Sequence, residues 1–305
     1  MATSREIVLS GATGLVGKRL ATSLVADGWG VRALTRRPDK ARFAAPIRAV
    51  GWDGLRAEAS ALSWAKSVVH LSGEPIFGGP LTPSQRRRIR SSRVDSTRAI
   101  VSQLGALPPA ERPGTLLCAS AVGYYGSRGD ESLDESAEPG EGFLAEVCMD
   151  WESAALQARR HGVRVVCVRI ALVLAREGGA LPRLLVPFRL GLGGPLGTGQ
   201  QWFPWIHIDD LVGLLRAALE DESWPGVGNA AAPQSVRNTD FTRALGDQLG
   251  RRTPLRVPAF ALRAALGELS GELLGSRRVL PVAALDRGFQ FRHESLGEAL
   301  ADLLD

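Results

Sequence analysis

The sequence predicts an α/β chain: a doubly wound parallel sheet followed by a smaller, mainly helical lobe on the substrate side. Three observations carry that reading. Residues 7 to 17, IVLSGATGLVG, pass from an apolar strand through glycines straight into a helical pattern. As far as about residue 170, short β-branched runs alternate with helical stretches, the order that parallel strands joined by crossover helices impose. Beyond Ala175 the alternation stops, and chain punctuated by Gly and Pro leads into helices.

The elements follow in order. Strand 1 lies near Ile7–Ser10 and strand 2 near Val31–Thr35, joined by a helix from Leu15 to Asp27 that Gly28 ends. Further strands are expected at Ile47–Trp52, Ser67–Leu71, Leu116–Ala119 and Val163–Ile170, with helices at Pro83–Leu104 and Leu144–Arg160 crossing between them. That is a Rossmann-like sheet. The segment REGGALPRLLVPFRLGLGGPLGTGQQWFPW then precedes a helix from Asp209 to Glu220, and residues 240–305 read as short helices around a Val279–Pro281 segment. Residues 1–235 are therefore expected to form the dinucleotide-binding domain and 236–305 a lobe folded as one unit with it. Residues 176–206 are expected to contribute to the substrate side.

With 305 residues and 45% hydrophobic content, the chain can bury a full core. No apolar run is long enough to span a bilayer, and Met1 to Glu6 lead into strand 1 without a charged-then-apolar leader, so a cytoplasmic location and no membrane contact are expected. The three cysteines, Cys118, Cys148 and Cys167, are odd in number and dispersed, which argues for reduced, buried thiols and against a disulfide framework or a metal site. The net charge of +5 is a weak partner signal, because all but three of the 37 basic residues are arginine.

The glycine spacing carries the first chemistry. Gly11 takes the tight turn, Gly14 lets a pyrophosphate approach the backbone, and Gly17 permits close packing of the helix. Thr13, Leu15 and Val16 complete the expected phosphate contacts, since the first helical turn offers unpaired N–H groups and a positive dipole end. At the end of strand 2 a carboxylate would accept the ribose 2′-hydroxyl of NAD, but Thr35, Arg36 and Arg37 stand there and Asp39 lies past Pro38. Arginine favours a 2′-phosphate, so NADP(H) is the expected cofactor. In VVHLSGEPI, Leu71, Ser72 and Gly73 reach the carboxyl edge of the sheet near the nicotinamide side, while His70 reads as a packed strand residue.

The segments GATGLVG, HLSGEPI, SSRVDSTRAI, SAVGYYG, FLAEVCMDWE, FPWIHIDDL and RVLPVAALDRGFQFR, in this order over nearly the whole chain, resemble the extended and atypical short-chain dehydrogenase/reductase superfamily. They are most similar to its "epimerase family protein" group, which carries a dedicated C-terminal domain. The resemblance implies NADP contacts from Thr35 and Arg36, from Leu71 and Ser72, and from Glu74 and Arg93. Arg93 stands where related extended members carry an asparagine.

The superfamily's reaction uses a Ser or Thr on strand 5 and a Tyr-x-x-x-Lys pair on the next helix, the lysine lowering the tyrosine pKa. Ser120 fits the first role; the pair is missing. Placing Trp151–Glu152 on the acidic position after the usual lysine puts Leu144 and Cys148 at the tyrosine and lysine positions. The composition agrees, since the only lysines are Lys18, Lys40 and Lys66 and the only tyrosines Tyr124 and Tyr125. With Ser120, the ranked candidates for a proton donor are Tyr125, Tyr124 and Glu74, against packing of a tyrosine in its loop and an ion pair of Glu74 with Arg93. Cys148 reads as an inert thiol, and Asp209 as the N-cap of its helix rather than part of a relay with His207 and Asp210. The run QRRRIRSSR reads as a solvated helix whose last arginine meets the cofactor, and no nucleic-acid partner is expected, because no aromatic interleaves it. Trp202 and Trp205 are expected in the core. Two functions stand: an NADP(H)-dependent oxidoreductase or epimerase on a small molecule, or a non-catalytic NADP(H) sensor acting through a protein partner.

Overall fold

The computed structural model describes residues 5–57, 59–224 and 226–305, so the expected lead-in from Met1 to Ser4 lies outside the described residues. Seven parallel strands form the main sheet: β1 (Glu6–Ser10), β2 (Gly30–Thr35), β3 (Arg48–Gly51), β4 (Ser67–His70), β5 (Thr115–Ala121), β7 (Arg164–Ile170) and β11 (Val227–Ala230). Their spatial order is β11-β7-β5-β4-β1-β2-β3. The chain winds outward from β1 through β2 and β3, then returns to β4 and winds the other way. The reversal leaves a crevice beyond the carboxyl ends of β1 and β4, where doubly wound sheets bind ligands.

Both faces of the sheet are covered. Ile7 and Leu9 pack with Leu20, Val69, Leu117 and Leu211 on one side, and Val8 with Val68, Ile100, Leu116 and Trp151 on the other. Strands buried on both faces are continuous apolar runs, which is why they stood out in the sequence. The helices that cover them are α1 (Leu15–Ala26), α2 (Ala59–Ser63), α4 (Ser96–Ala106), α5 (Phe143–Leu156) and α7 (Ile208–Glu220), while α3 (Pro83–Arg90) packs its Ile89 on Leu144 and Val147 of α5. Gly28, at φ +80°, follows α1 as expected.

The single helix expected at Pro83–Leu104 is not a single α-helix. Residues Ser91–Asp95 form a π-helical segment between α3 and α4, inside SSRVD. Nothing in a residue pattern marks one extra residue in a helical turn. Asp209 is also displaced from its expected role: His207 is the N-cap of α7, its Nδ1 accepting from the Asp209 N–H at 3.1 Å. The Asp209 carboxylate instead holds Arg19 of α1 through two bonds of 2.9 and 3.1 Å.

The Gly/Pro-punctuated segment carries more structure than its composition suggested. It contains β8 (Leu172–Ala175), β9 (Gly178–Gly179), α6 (Leu181–Arg189) and β10 (Trp205–His207), with the order β10-β8-β9 in a second sheet. A further core joins Leu174, Leu185, Phe188 and Trp205 to Phe241 and Leu245 of α8 (Asn238–Gln248) and to Leu300 of α12 (Leu296–Leu304). It therefore draws on chain from both sides of the boundary expected at residue 235. The remaining elements are β6 (Ser132–Leu133), α9 (Ala259–Leu266), α10 (Ser270–Leu274), β12 (Arg278–Val279) and α11 (Val282–Leu285). β12 pairs with β6, which brings the C-terminal segment beside the loop that follows β5.

Candidate functional site

Each glycine of the first turn has a separate geometric reason. Gly11 sits at φ +75°, and a Cβ there would stand 2.8 Å from the Leu71 carbonyl carbon. A Cβ on Gly17 would overlap the Gly11 carbonyl oxygen. Gly14 differs: its only protein neighbour would be the Gly11 oxygen at 3.2 Å, so the rest of that space opens into the cleft. Gly14 is the N-cap of α1 with no side-chain cap bond, and the helical ladder starts at Lys18 N–H to Gly14 O. The N–H groups of Leu15, Val16 and Gly17 thus point out of the helix end without a helical acceptor. The side chains of Leu15 and Val16 pack on the core, so what these two residues offer the cleft is main chain.

That cleft has a volume of about 1130 Å³ and runs over the carboxyl ends of β1, β2 and β4. Thr13, Gly14, Thr35, Arg36, Leu71, Ser72, Gly73 and Glu74 all line it, as does Arg37. Arg36 and Arg37 are exposed and make no ion pair among the described residues. Asp53, at the end of β3, shares the cleft, but its carboxylate accepts the Leu55 and Arg56 N–H groups at 2.7 Å each, and these bonds hold its pKa below the usual range. His70 is packed, as read from the sequence. It accepts from Ser10 Oγ at Nδ1 (2.6 Å) and donates from Nε2 to Ser96 Oγ (3.1 Å), whose own proton goes to the Ser92 carbonyl. Burial pushes its pKa down to about 3.

Glu74 and Arg93 do not pair through a hydrogen bond or close ion contact. The Glu74 carboxylate lies 3.9 Å from Arg88 Nε, and its N–H donates to Ser92 Oγ at 2.9 Å. Arg93 lies behind Gly73, donates to the Ile89 carbonyl at 3.2 Å and stacks on Trp151 at 5.4 Å. Two further arginines of the basic run find carboxylates, Arg86 at Glu268 and Arg90 at Asp150.

Ser120 and the tyrosines belong to a buried network that sequence reasoning missed. Ser120 Oγ donates to Glu152 Oε1 at 2.6 Å, and Arg169 grips both Glu152 oxygens at 2.9 Å. Arg169 also donates to the Tyr125 hydroxyl at 2.9 Å, which in turn donates to Asn229 Oδ1 at 2.7 Å. The Tyr124 ring lies under the Arg169 guanidinium at 3.4 Å. Tyr125 is 0% exposed and burial drives its pKa up to about 12, so its first rank among the proton donors is corrected in favour of the packed alternative: its hydroxyl is spent inside the core. The missed signal was Arg169 itself, the arginine among the buried residues of RVVCVRI, which had to find a buried partner.

Leu144 and Cys148 are both buried, and burial drives the Cys148 thiol up to about 12. A third group meets them there. The point where a Cβ on Gly123 would stand lies 3.8 Å from Glu272 Oε2 of α10, 3.8 Å from Leu144 Cβ and 4.0 Å from Cys148 Sγ. Glu272 Oε1 accepts from Arg277 at 3.0 Å, and the side chain is 26% exposed. The pairing of β12 with β6 and the bonds of Ser276 to Ser127, Arg128 and Gly129 bring this carboxylate past the end of β5, so no local spacing announced it.

His207, His293 and Asp302 also converge. The two ring centroids lie 3.8 Å apart with planes inclined by 35°, and His207 Nδ1 is already spent on the Asp209 N–H. Because His207 Nδ1 accepts a backbone N–H, its neutral ring carries the proton on Nε2, which faces Asp302 Oδ2 at 3.2 Å. The constellation fits a capped helix end better than a metal centre.

Comparison with known proteins agrees with this geometry. The model of the NAD dependent epimerase/dehydratase family matches residues 7–230, and that of a domain of unknown function, DUF1731, matches residues 257–303. The chloroplastic SDR39U1 homolog of Arabidopsis thaliana, an epimerase family protein, is 40% identical over 98% of this chain and 86% of its own. The epimerase family protein ML0860 of Mycobacterium leprae is 37% identical over 97% and 94%. The crystal structure of human epimerase family protein SDR39U1 with NADPH superposes with a TM-score of 0.87 at 32% identity, covering 98% of this chain and 99% of that one. The glycine turn at the switch point and the C-terminal segment that closes on β5 are thus the two parts of a shared architecture, and the chain belongs to the NAD dependent epimerase/dehydratase family, among the epimerase family proteins related to SDR39U1.

Proposed function

We propose that this chain binds NADP(H) and acts as an oxidoreductase or epimerase on a small molecule, with Glu272 in the proton-handling role that tyrosine has in the wider superfamily. The observation that carries the reading is the uncapped start of α1, which opens on a cleft with unpaired Arg36 and Arg37 at one end. The NADPH in the human SDR39U1 crystal structure supports it. NADP(H), when bound, supplies or accepts a hydride. The main-chain N–H groups of residues 15–17 hold the diphosphate, and Arg36 neutralises the 2′-phosphate by a charge-assisted fork. Ser72 and Gly73 border the nicotinamide side. Arg277 fixes Oε1 of Glu272 and leaves Oε2 to take or give the proton of a reacting hydroxyl.

Calorimetric titration tests the cofactor: NADPH should bind more tightly than NADH, and Arg36→Ala should lose most of the difference, about 1.5–3 kcal/mol for a charged hydrogen bond. Equal affinities would overturn it. A substrate panel with NADPH tests the proton role, since Glu272→Gln should lose turnover while keeping NADPH affinity. Tight binding with no turnover by the wild type on the whole panel would favour the NADP(H) sensor reading.

A further inference from the structure

We propose that the outer face of the C-terminal lobe docks on an anionic phospholipid surface. Two stretches, residues 178–208 and 248–267, contain no Asp or Glu. They lie side by side: Leu196 and Val257 form a parallel bridge, Gly197 N–H donates to the Val257 carbonyl at 2.8 Å, and Val257 N–H donates to the Pro195 carbonyl at 2.9 Å. Five of the eight exposed large apolar residues among the described residues come from them, namely Val186, Leu190, Leu192, Leu255 and Phe260. Leu190 is 68% exposed and Phe260 73%. No residue of α9, which carries Phe260, is buried.

Arginines fill the rest of the surface. Arg183, Arg189, Arg251, Arg252, Arg256 and Arg263 are all exposed and make no ion pair among the described residues. Exposed arginines without an ion pair among the described residues occur elsewhere too, as at Arg36, Arg37 and Arg48, so what sets these two stretches apart is six such arginines together with five exposed apolar residues and no Asp or Glu. Two adjoining stretches whose own charges are all positive repel their counterparts on a second copy, which argues against a symmetric dimer through them. Isolated apolar side chains among the guanidiniums of these stretches match the headgroup boundary of an anionic bilayer, where apolar insertion and charge attraction add. The contact is at the bilayer surface; among the described residues no helix is long and apolar enough to cross a membrane.

Flotation of the full chain with vesicles tests this, using phosphatidylcholine alone against equal parts phosphatidylcholine and phosphatidylglycerol. Binding is expected to the phosphatidylglycerol vesicles only, and high salt should release it. The double variant Arg256→Gln/Arg263→Gln should weaken it about thirtyfold, from about 1 kcal/mol for each arginine at the surface. Phe260→Ser should weaken it as well. Arg48→Gln/Arg160→Gln, with the same net charge but altered away from this face, should bind as the wild type does. No binding to phosphatidylglycerol vesicles overturns the proposal, and so does equal weakening by both double variants, which would reduce it to net charge. A wild-type dimer on size exclusion that Phe260→Ser converts to monomer would assign the face to a second copy instead.

Discussion

Arg169 and Glu152 form a buried, two-bond ion pair across β7 and α5, with side-chain exposures of 4% and 7%. Ser120 hangs on the carboxylate and Tyr125 on the guanidinium. The pair thereby gathers the end of β5, the loop after it and, through the Tyr125 hydroxyl, Asn229 of β11 around one charge centre.

Removing one partner should be far worse than removing both. Arg169→Leu leaves Glu152 buried without compensation and should cost about 3–5 kcal/mol, whereas Arg169→Leu/Glu152→Leu should recover much of that loss. Urea unfolding of the two variants checks it. Equal losses would show that the pair is not coupled.

Gly14 and Gly17 should part company. Gly17→Ala drives a methyl into the Gly11 carbonyl and should lower the melting temperature markedly. Gly14→Val projects into the cleft and should keep the fold while abolishing NADPH binding. Thermal melts and cofactor titration on both proteins separate the outcomes, and a Gly14→Val protein that binds NADPH normally would reduce the turn to a structural device.

Tyr125→Phe should act on stability before it acts on any cofactor. The change leaves Asn229 Oδ1 and one Arg169 donor without the hydroxyl, a loss of about 1–3 kcal/mol. NADPH affinity should stay within error of the wild type. A large drop in affinity with an unchanged melt would return the hydroxyl to the cleft.

His70 should make the fold acid-sensitive. Its folded pKa of about 3 lies below the ordinary 6.5, so between those values the unfolded chain binds a proton that the folded chain refuses. Stability from this group is therefore complete above 6.5 and falls with pH below it, by about 1.4 kcal/mol per pH unit. Denaturant melts at neutral pH and about two units lower should show a steeper loss in the wild type than in His70→Asn.

The legible part of the chain was the part where residues act through near neighbours. β1, Gly11, Gly14 and α1 are contiguous, and strands buried on both faces advertise themselves by unbroken apolar runs, so sheet, turn and cofactor edge followed from the sequence. The ranking of Tyr125 first among proton donors failed on geometry because proximity to Ser120 in sequence says nothing about which way a ring turns; a charge in β7 decided that. Glu272 was hidden for the same reason, since distant contacts deliver it: the two-residue pairing of β12 with β6 and the bonds of Ser276 to residues 127–129. Asp209 lost its cap to His207 because an imidazole nitrogen at the right distance accepts an N–H as well as a carboxylate does.

The π-helical turn at Ser91–Asp95 makes chain length, rather than residue identity, the sensitive variable at the cleft. Deleting any one residue from it would restore an α-helical path and rotate α4 by roughly 100° against α3. Ser92 would then swing away from the Glu74 N–H, and Ser96 from His70, while Arg86 and Ile89 upstream kept their places against Glu268 and Leu144. The extra residue works as a gear tooth: it lets one continuous helix serve two surfaces whose spacings do not match, the sheet on one side and the C-terminal lobe on the other.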